Sequence, residues 1–161
     1  FLDYRDLKNK YDAIASIEMI EAVGEKNLKK YFSIIKNNLK PNGVGAIQAI
    51  IIKDELFKRY RKNQDFIQEY IFPGGFLPSL ESIKEYSKKT GLTLNDYKSY
   101  GSHYSQTFIK WRKNFINSWS QISQQGFDNS FKKIWDFYFS YCEAGFRSKN
   151  IDLIQFLVRN K

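Results

Sequence analysis

The chain has 161 residues, 42% of them hydrophobic and 17% aromatic, with a formal net charge of +9 and a single cysteine. That length and apolar content suffice for one sizeable core; one cysteine excludes an internal disulfide, and no run of about 18 apolar residues is present to span a bilayer. Most of the positive excess lies beyond residue 52, densest at Lys58, Arg59, Arg61 and Lys62, which predicts a basic face toward nucleic acid, anionic headgroups or solvent.

In chain order, residues 1–10 are too charged for a secretory signal, and Leu2 to Asp6 reads as a strand end or loop. Tyr11 to Glu18 is the first clear strand, and its short apolar run Ala13 to Ile17, without polar alternation, predicts a parallel strand covered on both faces. It stops at two carboxylates, Glu18 and Glu21, and ligands of open parallel sheets sit just beyond such strand ends. The same carboxylates could simply favour the start of the next helix. A helix is predicted from Glu25 to Leu39, where Leu28, Tyr31, Phe32, Ile35 and Leu39 recur at three- and four-residue steps. Lys40-Pro41-Asn42-Gly43 should then turn the chain into a second buried strand, Val44 to Ile52, giving a right-handed parallel crossover.

A helix with an aromatic face follows through Leu56, Phe57, Tyr60, Phe66, Ile67 and Tyr70. It breaks at the apolar but irregular segment Ile71-Phe72-Pro73-Gly74-Gly75-Phe76-Leu77-Pro78, which suits contact with something apolar as well as with its own core. A short helix Leu80 to Thr90 and a strand Leu92 to Tyr100 come next. One long helix is predicted from Tyr104 to Ile122, with a stripe of Tyr104, Phe108, Trp111, Phe115, Trp119 and Ile122. A second starts at Phe127, with Phe131, Trp135, Tyr138, Cys142 and Phe146, and Ile151 to Val158 closes the chain as a strand. Stripes of this kind mostly make core. His103, the only histidine, has no ligand partners at metal spacing, so no metal site is expected.

None of the nine glycines forms the Gly-rich turn with which a nucleotide-type α/β fold holds its ligand after the first strand. The expected architecture is therefore α/β, the second half of a larger domain whose first half lies upstream.

Asp3-Tyr4-Arg5, the stretch Tyr11 to Gly24, Leu39-Lys40-Pro41-Asn42-Gly43, Tyr70 to Ser79 with its Phe-Pro-Gly-Gly core, Tyr104 with Thr107 and Trp111, and Tyr141-Cys142-Glu143-Ala144-Gly145-Phe146-Arg147 together resemble the cyclopropane-fatty-acyl-phospholipid synthase family. The resemblance runs in order over essentially all 161 residues. It implies that residues 1–161 are the C-terminal part of one class I, Rossmann-like S-adenosylmethionine-dependent methyltransferase domain, with helical lipid-site insertions and with the Gly-rich cofactor loop missing.

The implied reaction is methylene transfer from S-adenosylmethionine to the cis double bond of an unsaturated phospholipid acyl chain, with bound bicarbonate taking the proton as the ring closes. By position, Glu21 and Tyr104 correspond to residues that hold bicarbonate, and Ile50 to one whose backbone contributes. Gln48 stands where relatives have histidine; its amide can donate a hydrogen bond but cannot carry the proton. Asp3, Tyr4 and Arg5 fall beside the adenine. A cation in an acyl chain favours a dry site with aromatic faces, and Phe72, Gly74, Phe76, Trp111, Cys142 and Glu143 are the candidates to line it. A buried Glu21 also needs a hydrogen-bond partner, expected from Tyr104 or Gln48. The implied protein is cytoplasmic and peripheral on the inner membrane surface, with no nucleic-acid partner and with a homodimer among the assemblies admitted. Lipid methylation without ring closure and a non-catalytic basic binding fragment are the rival readings.

Overall fold

In a computed structural model, which describes residues 2–161, the first apolar run forms strand β1 (Tyr11–Ile17), and helix α1 (Leu28–Asn38) leads to strand β2 (Leu39–Ile52). β1 and β2 pair in parallel, as a strand, helix, strand crossover demands. The expected turn at residues 40–43 survives as an excursion inside β2. Tyr11 pairs with Leu39 and Ala13 already with Val44, so four residues bulge out against one, with Asn42 in the left-handed region at φ 64°.

Strands β3 (Leu92–Ser99) and β4 (Ile151–Asn160) complete a mixed sheet of order β1-β2-β4-β3, in which β4 runs antiparallel to both neighbours. Helix α1 and helix α4 (Leu80–Lys89) cover one face. There Tyr31, Phe32, Ile35, Ile83, Ile47, Ile154, Phe156 and Val158 form the larger core, and each such buried side chain contributes roughly 1.5–3 kcal/mol. Ser79 caps α4 by accepting from the Ser82 N–H at 3.3 Å.

β1 is not covered on both faces. It is an edge strand paired on one side, and Ala13, Ala15 and Ile17 are exposed, Ile17 at 63%. Only Ile14 and Ser16 reach the α1 side, where the Tyr31 hydroxyl donates to Ser16 Oγ at 2.8 Å. The apolar run predicts a covered strand; cover comes from other elements, and among the described residues, which span little more than a third of the length of the curated relatives, none lies over this face.

The aromatic helix after Lys53 is two helices, α2 (Asp54–Tyr60) and α3 (Phe66–Tyr70), because Asp65 and Gln68 form a capping box that restarts the chain. The next long stripe also divides at Ser118, into α5 (Gly101–Asn117) and α6 (Trp119–Ser123). Helix α7 (Asn129–Arg147), capped by the Asp128 side chain on the Phe131 N–H at 2.8 Å, packs along α5, and Arg112 and Asp136 pair across them at 2.7 Å. The two helices bury a second cluster of Phe108, Phe139, Cys142, Phe146 and Leu153, with Ile50 of β2 packed against it.

α5 is seated on β4 through Asp152, whose carboxylate accepts from the Ser99 hydroxyl at 2.6 Å and from the Gly101 N–H at 2.8 Å. A methyl group on Gly101 would strike Asp152 Oδ1 and lie 3.3 Å from Asp152 Cα. Gly101→Ala should therefore cost about 1–3 kcal/mol, read as a lowered urea midpoint of the full-length protein with an unchanged slope.

Candidate active site

β1 delivers its two carboxylates to the place where α5 crosses the sheet end. Glu18, the residue after β1, takes φ 49°, a left-handed backbone that costs on the order of 1–3 kcal/mol in a non-glycine residue and gathers at functional sites. Its N–H donates to the Gln48 carbonyl at 2.9 Å. Its carboxylate accepts from the Gln48 amide at 2.7 Å and from the Tyr104 hydroxyl, 2.9 Å from both oxygens. Gln155 in turn donates to Gln48 Oε1 at 2.7 Å, which orients the amide so that its N–H2 faces Glu18.

Glu21 sits one 3-10 turn later, in Ile20–Ala22. Its Oε1 accepts from the Ile50 N–H, while its Oε2 is buried without a partner among the described residues. Burial, opposed by the bond from Ile50 and assisted by the charge of Glu18, raises its pKa from 4.5 to about 7. The Phe76 N–H donates to the Glu21 carbonyl at 2.8 Å, so the Phe-Pro-Gly-Gly segment is tied to this turn.

The structure thus brings Glu21, Gln48, Ile50 and Tyr104 together but redistributes the expected bonds. Tyr104 and Gln48 hold Glu18, and Glu21 is held by Ile50. The left-handed Glu18 backbone gives its side chain the two donors, and the 3-10 turn carries Glu21 to a backbone N–H of β2.

Around Tyr104 stand aromatic faces. Its ring lies edge-on to Phe146 at 5.2 Å, Phe108 at 5.4 Å and Trp111 at 5.9 Å. Burial first, then the bond to Glu18, raises the Tyr104 pKa, so the phenol stays a donor at neutral pH. Cys142 is buried in the same cluster, and burial pushes its thiol up to about 12, which leaves it inert at pH 7.

The other candidates divide. Phe72 meets the edge of Tyr138 at 6.0 Å, and Tyr138 meets Phe108 at 5.8 Å, so Phe72 joins this cluster. Gly74, with φ 81° and open space around it, makes the exposed bend of the loop. Phe76 does not face the cluster: its ring is buried in the larger core against Phe57 and Tyr60, while its N–H is tied to the Glu21 carbonyl. Glu143 lies half-buried on α7 and pairs with Arg147 at 3.1 Å. Asp3, Tyr4 and Arg5 form a separate turn. Arg5 binds both Asp3 oxygens and holds that carboxyl down at about 2, while Tyr4 packs on Tyr31.

Sequence patterns undervalue Phe108, Tyr138 and Phe146, which read as core stripe, and miss Gln155, whose one signal is a polar residue amid apolar positions of β4. No group of three metal-ligating side chains occurs among the described residues, and no described helix is long and apolar enough to cross a membrane.

Compared with solved structures, the fold is that of the class I S-adenosylmethionine methyltransferases, represented in part. The crystal structure of the mycolic acid cyclopropane synthase CmaA1 complexed with SAH and CTAB superposes with a TM-score of 0.86 at 27% identity, over 97% of this chain and 57% of that one. The model of the mycolic acid cyclopropane synthetase family matches residues 1–156, and the chain belongs to that family. It is 41% identical over 154 residues to the tuberculostearic acid methyltransferase UfaA1 of Mycobacterium tuberculosis. It is 34% identical over 153 residues to the cyclopropane-fatty-acyl-phospholipid synthase of Escherichia coli K12. Each alignment covers 95% of this chain but only 36% and 38% of those relatives. The matched region is their C-terminal portion.

Proposed function

We propose that this chain is the C-terminal part of a single methyltransferase domain that transfers a methylene group from S-adenosylmethionine to the cis double bond of an unsaturated phospholipid acyl chain, forming a cyclopropane ring. The observation that carries this reading is the juxtaposition of Glu18, Glu21 and the Tyr104 phenol with the aromatic cluster of Phe108, Trp111 and Phe146. An acyl carbon that gains positive charge would be favoured by the ring faces, and a proton that must leave would be drawn toward the carboxylate end.

The residue types suit bicarbonate: Tyr104 and Gln48, which here donate to the Glu18 carboxylate, are donors that suit the O–C–O geometry of that ion if they turn from Glu18 to it, and the orphaned Glu21 Oε2 is an acceptor for its O–H. Gln48, Tyr104, Ile50 and Glu21 are the residues that would hold it, and when bound it supplies a base. S-adenosylmethionine supplies the methyl group; Tyr4 is the residue offered to its adenine and Asp3, with Arg5, to its polar edge. Phe72, Gly74, Trp111, Cys142 and Glu143 are assigned to the acyl side. Phe76 acts through its backbone, as the tie to Glu21. The protein is proposed to work from the cytoplasm, peripherally on the inner membrane surface, and not on nucleic acid.

A second reading is lipid methylation without ring closure. It is favoured by the higher identity to the tuberculostearic acid methyltransferase than to the synthase, and by Gln48, which cannot relay a proton. The test is incubation of the full-length protein with S-adenosylmethionine and dioleoyl phospholipid vesicles. Gain of one CH2 with loss of the alkene is expected; unchanged lipid mass would refute both readings.

A further inference from the structure

α3 and the middle of α7 carry aromatic rings that touch one another yet face solvent. Phe66 stands edge-on to Phe137 at 4.6 Å, and Tyr70 and Tyr141 close around it at 5.4 and 6.2 Å. Tyr70 is 57% exposed, Phe72 53%, Phe137 51% and Tyr141 41%. Single exposed apolar residues are ordinary on any surface, whereas a contiguous aromatic patch marks a place where something docks.

Two features identify the partner. On one flank lies an open cleft of about 570 Å³, lined by Lys26, Arg61 and Lys62 together with Gln68 of α3. The rings of α3 and α7 therefore stand beside a cleft whose cations come from the turn after α2 and from Lys26. Arg61 is paired with Glu25, but Lys26, Lys58, Arg59 and Lys62 form no ion pair among the described residues, and they outnumber the local acids Asp65 and Glu69. On the inner flank the patch runs into the active site, from Phe72 to Tyr138, then Phe108, then Tyr104, by ring contacts of 6.0, 5.8 and 5.4 Å.

We propose that this face is where the protein docks on a bilayer containing anionic phospholipid, with the rings at headgroup depth, the cations on the phosphates, and Phe72 at the point where an acyl chain leaves the bilayer for Tyr104. Aromatic side chains with polar tips favour the membrane interface, and clustered cations add attraction to an anionic leaflet. The choice of partner rests on the acyl-lipid function proposed above.

The test is sedimentation of the full-length protein with phosphatidylglycerol or phosphatidylcholine vesicles, without cofactor. Tyr70→Ser/Phe137→Ser/Tyr141→Ser should lower the partition coefficient roughly tenfold or more on both lipids, with unchanged melting temperature. Lys26→Gln/Lys62→Gln should weaken binding severalfold on phosphatidylglycerol alone. Ile116→Ser, equally exposed on α5, should change nothing. Wild-type partitioning of the triple variant would overturn the proposal. So would a changed oligomeric mass of that variant without vesicles, since the patch would then join copies of the chain. Because partitioning needs no turnover, this result stands apart from the product assay.

Discussion

Glu21→Gln in the full-length protein should lower turnover on unsaturated phospholipid by roughly 10²- to 10⁴-fold, the range for loss of a positioned acid–base group, while making the fold more stable at alkaline pH. The two effects share one cause. Glu21 Oε2 is buried without a partner among the described residues, and burial lifts the carboxyl from 4.5 to about 7. A raised folded-state pKa means that the folded protein binds the proton more tightly than the unfolded chain, so stability falls as pH rises from about 4.5 to about 7 and levels off above. At 1.36 kcal/mol per pH unit, the 2.5-unit difference between 4.5 and about 7 amounts to at most about 3 kcal/mol. Glutamine keeps an acceptor for the Ile50 N–H and carries no charge. Its melting temperature should match wild type near pH 4.5 and exceed it at pH 8. Wild-type turnover should itself rise through pH 7 as the carboxylate forms. An unchanged rate in Glu21→Gln would remove this residue from the reaction.

Tyr104→Phe should reduce kcat roughly 10- to 100-fold with little change in KM. The substitution keeps the ring against Phe108, Trp111 and Phe146 but deletes the hydroxyl that donates to both Glu18 oxygens. A hydrogen bond to a charged group contributes about 1.5–3 kcal/mol, and losing it leaves Glu18 with the Gln48 amide as its remaining side-chain donor. Tyr104→Leu removes the aromatic face as well and should raise KM too. Equal kinetics for the phenylalanine and wild-type proteins would show that the hydroxyl only ties α5 to the strand end.

The order of strands and helices was readable because local pattern decides it. The i, i+3, i+4 recurrence of Leu28, Tyr31, Phe32 and Ile35 places α1, and Pro41 to Gly43 marks the excursion before the buried part of β2. Cover is a property of the rest of the domain: the apolar run of β1 would look the same on an edge as in the middle of a sheet, and among the described residues nothing lies over Ile17. The division of residues 54–70 turned on a single capping pair, Asp65 with Gln68, which an aromatic stripe outweighs by eye. The wiring of the site was not legible: Gln48 and Tyr104 bond to Glu18 and Ile50 to Glu21, because one left-handed backbone angle decides the partner of Tyr104 and no residue type announces that angle. Phe76 shows the converse case, where a residue inside a specific segment serves by its N–H while its ring belongs to the core.

The deciding measurement is the deuterium count of the lipid product formed from S-adenosylmethionine whose transferred methyl is CD3. Ring closure requires that methyl to give up one hydrogen, so the product should retain two deuterons and no alkene. Three retained deuterons on a methyl branch, or two on an exocyclic methylene, would mean methylation without closure, and a product without deuterium would contradict methyl transfer at this site altogether.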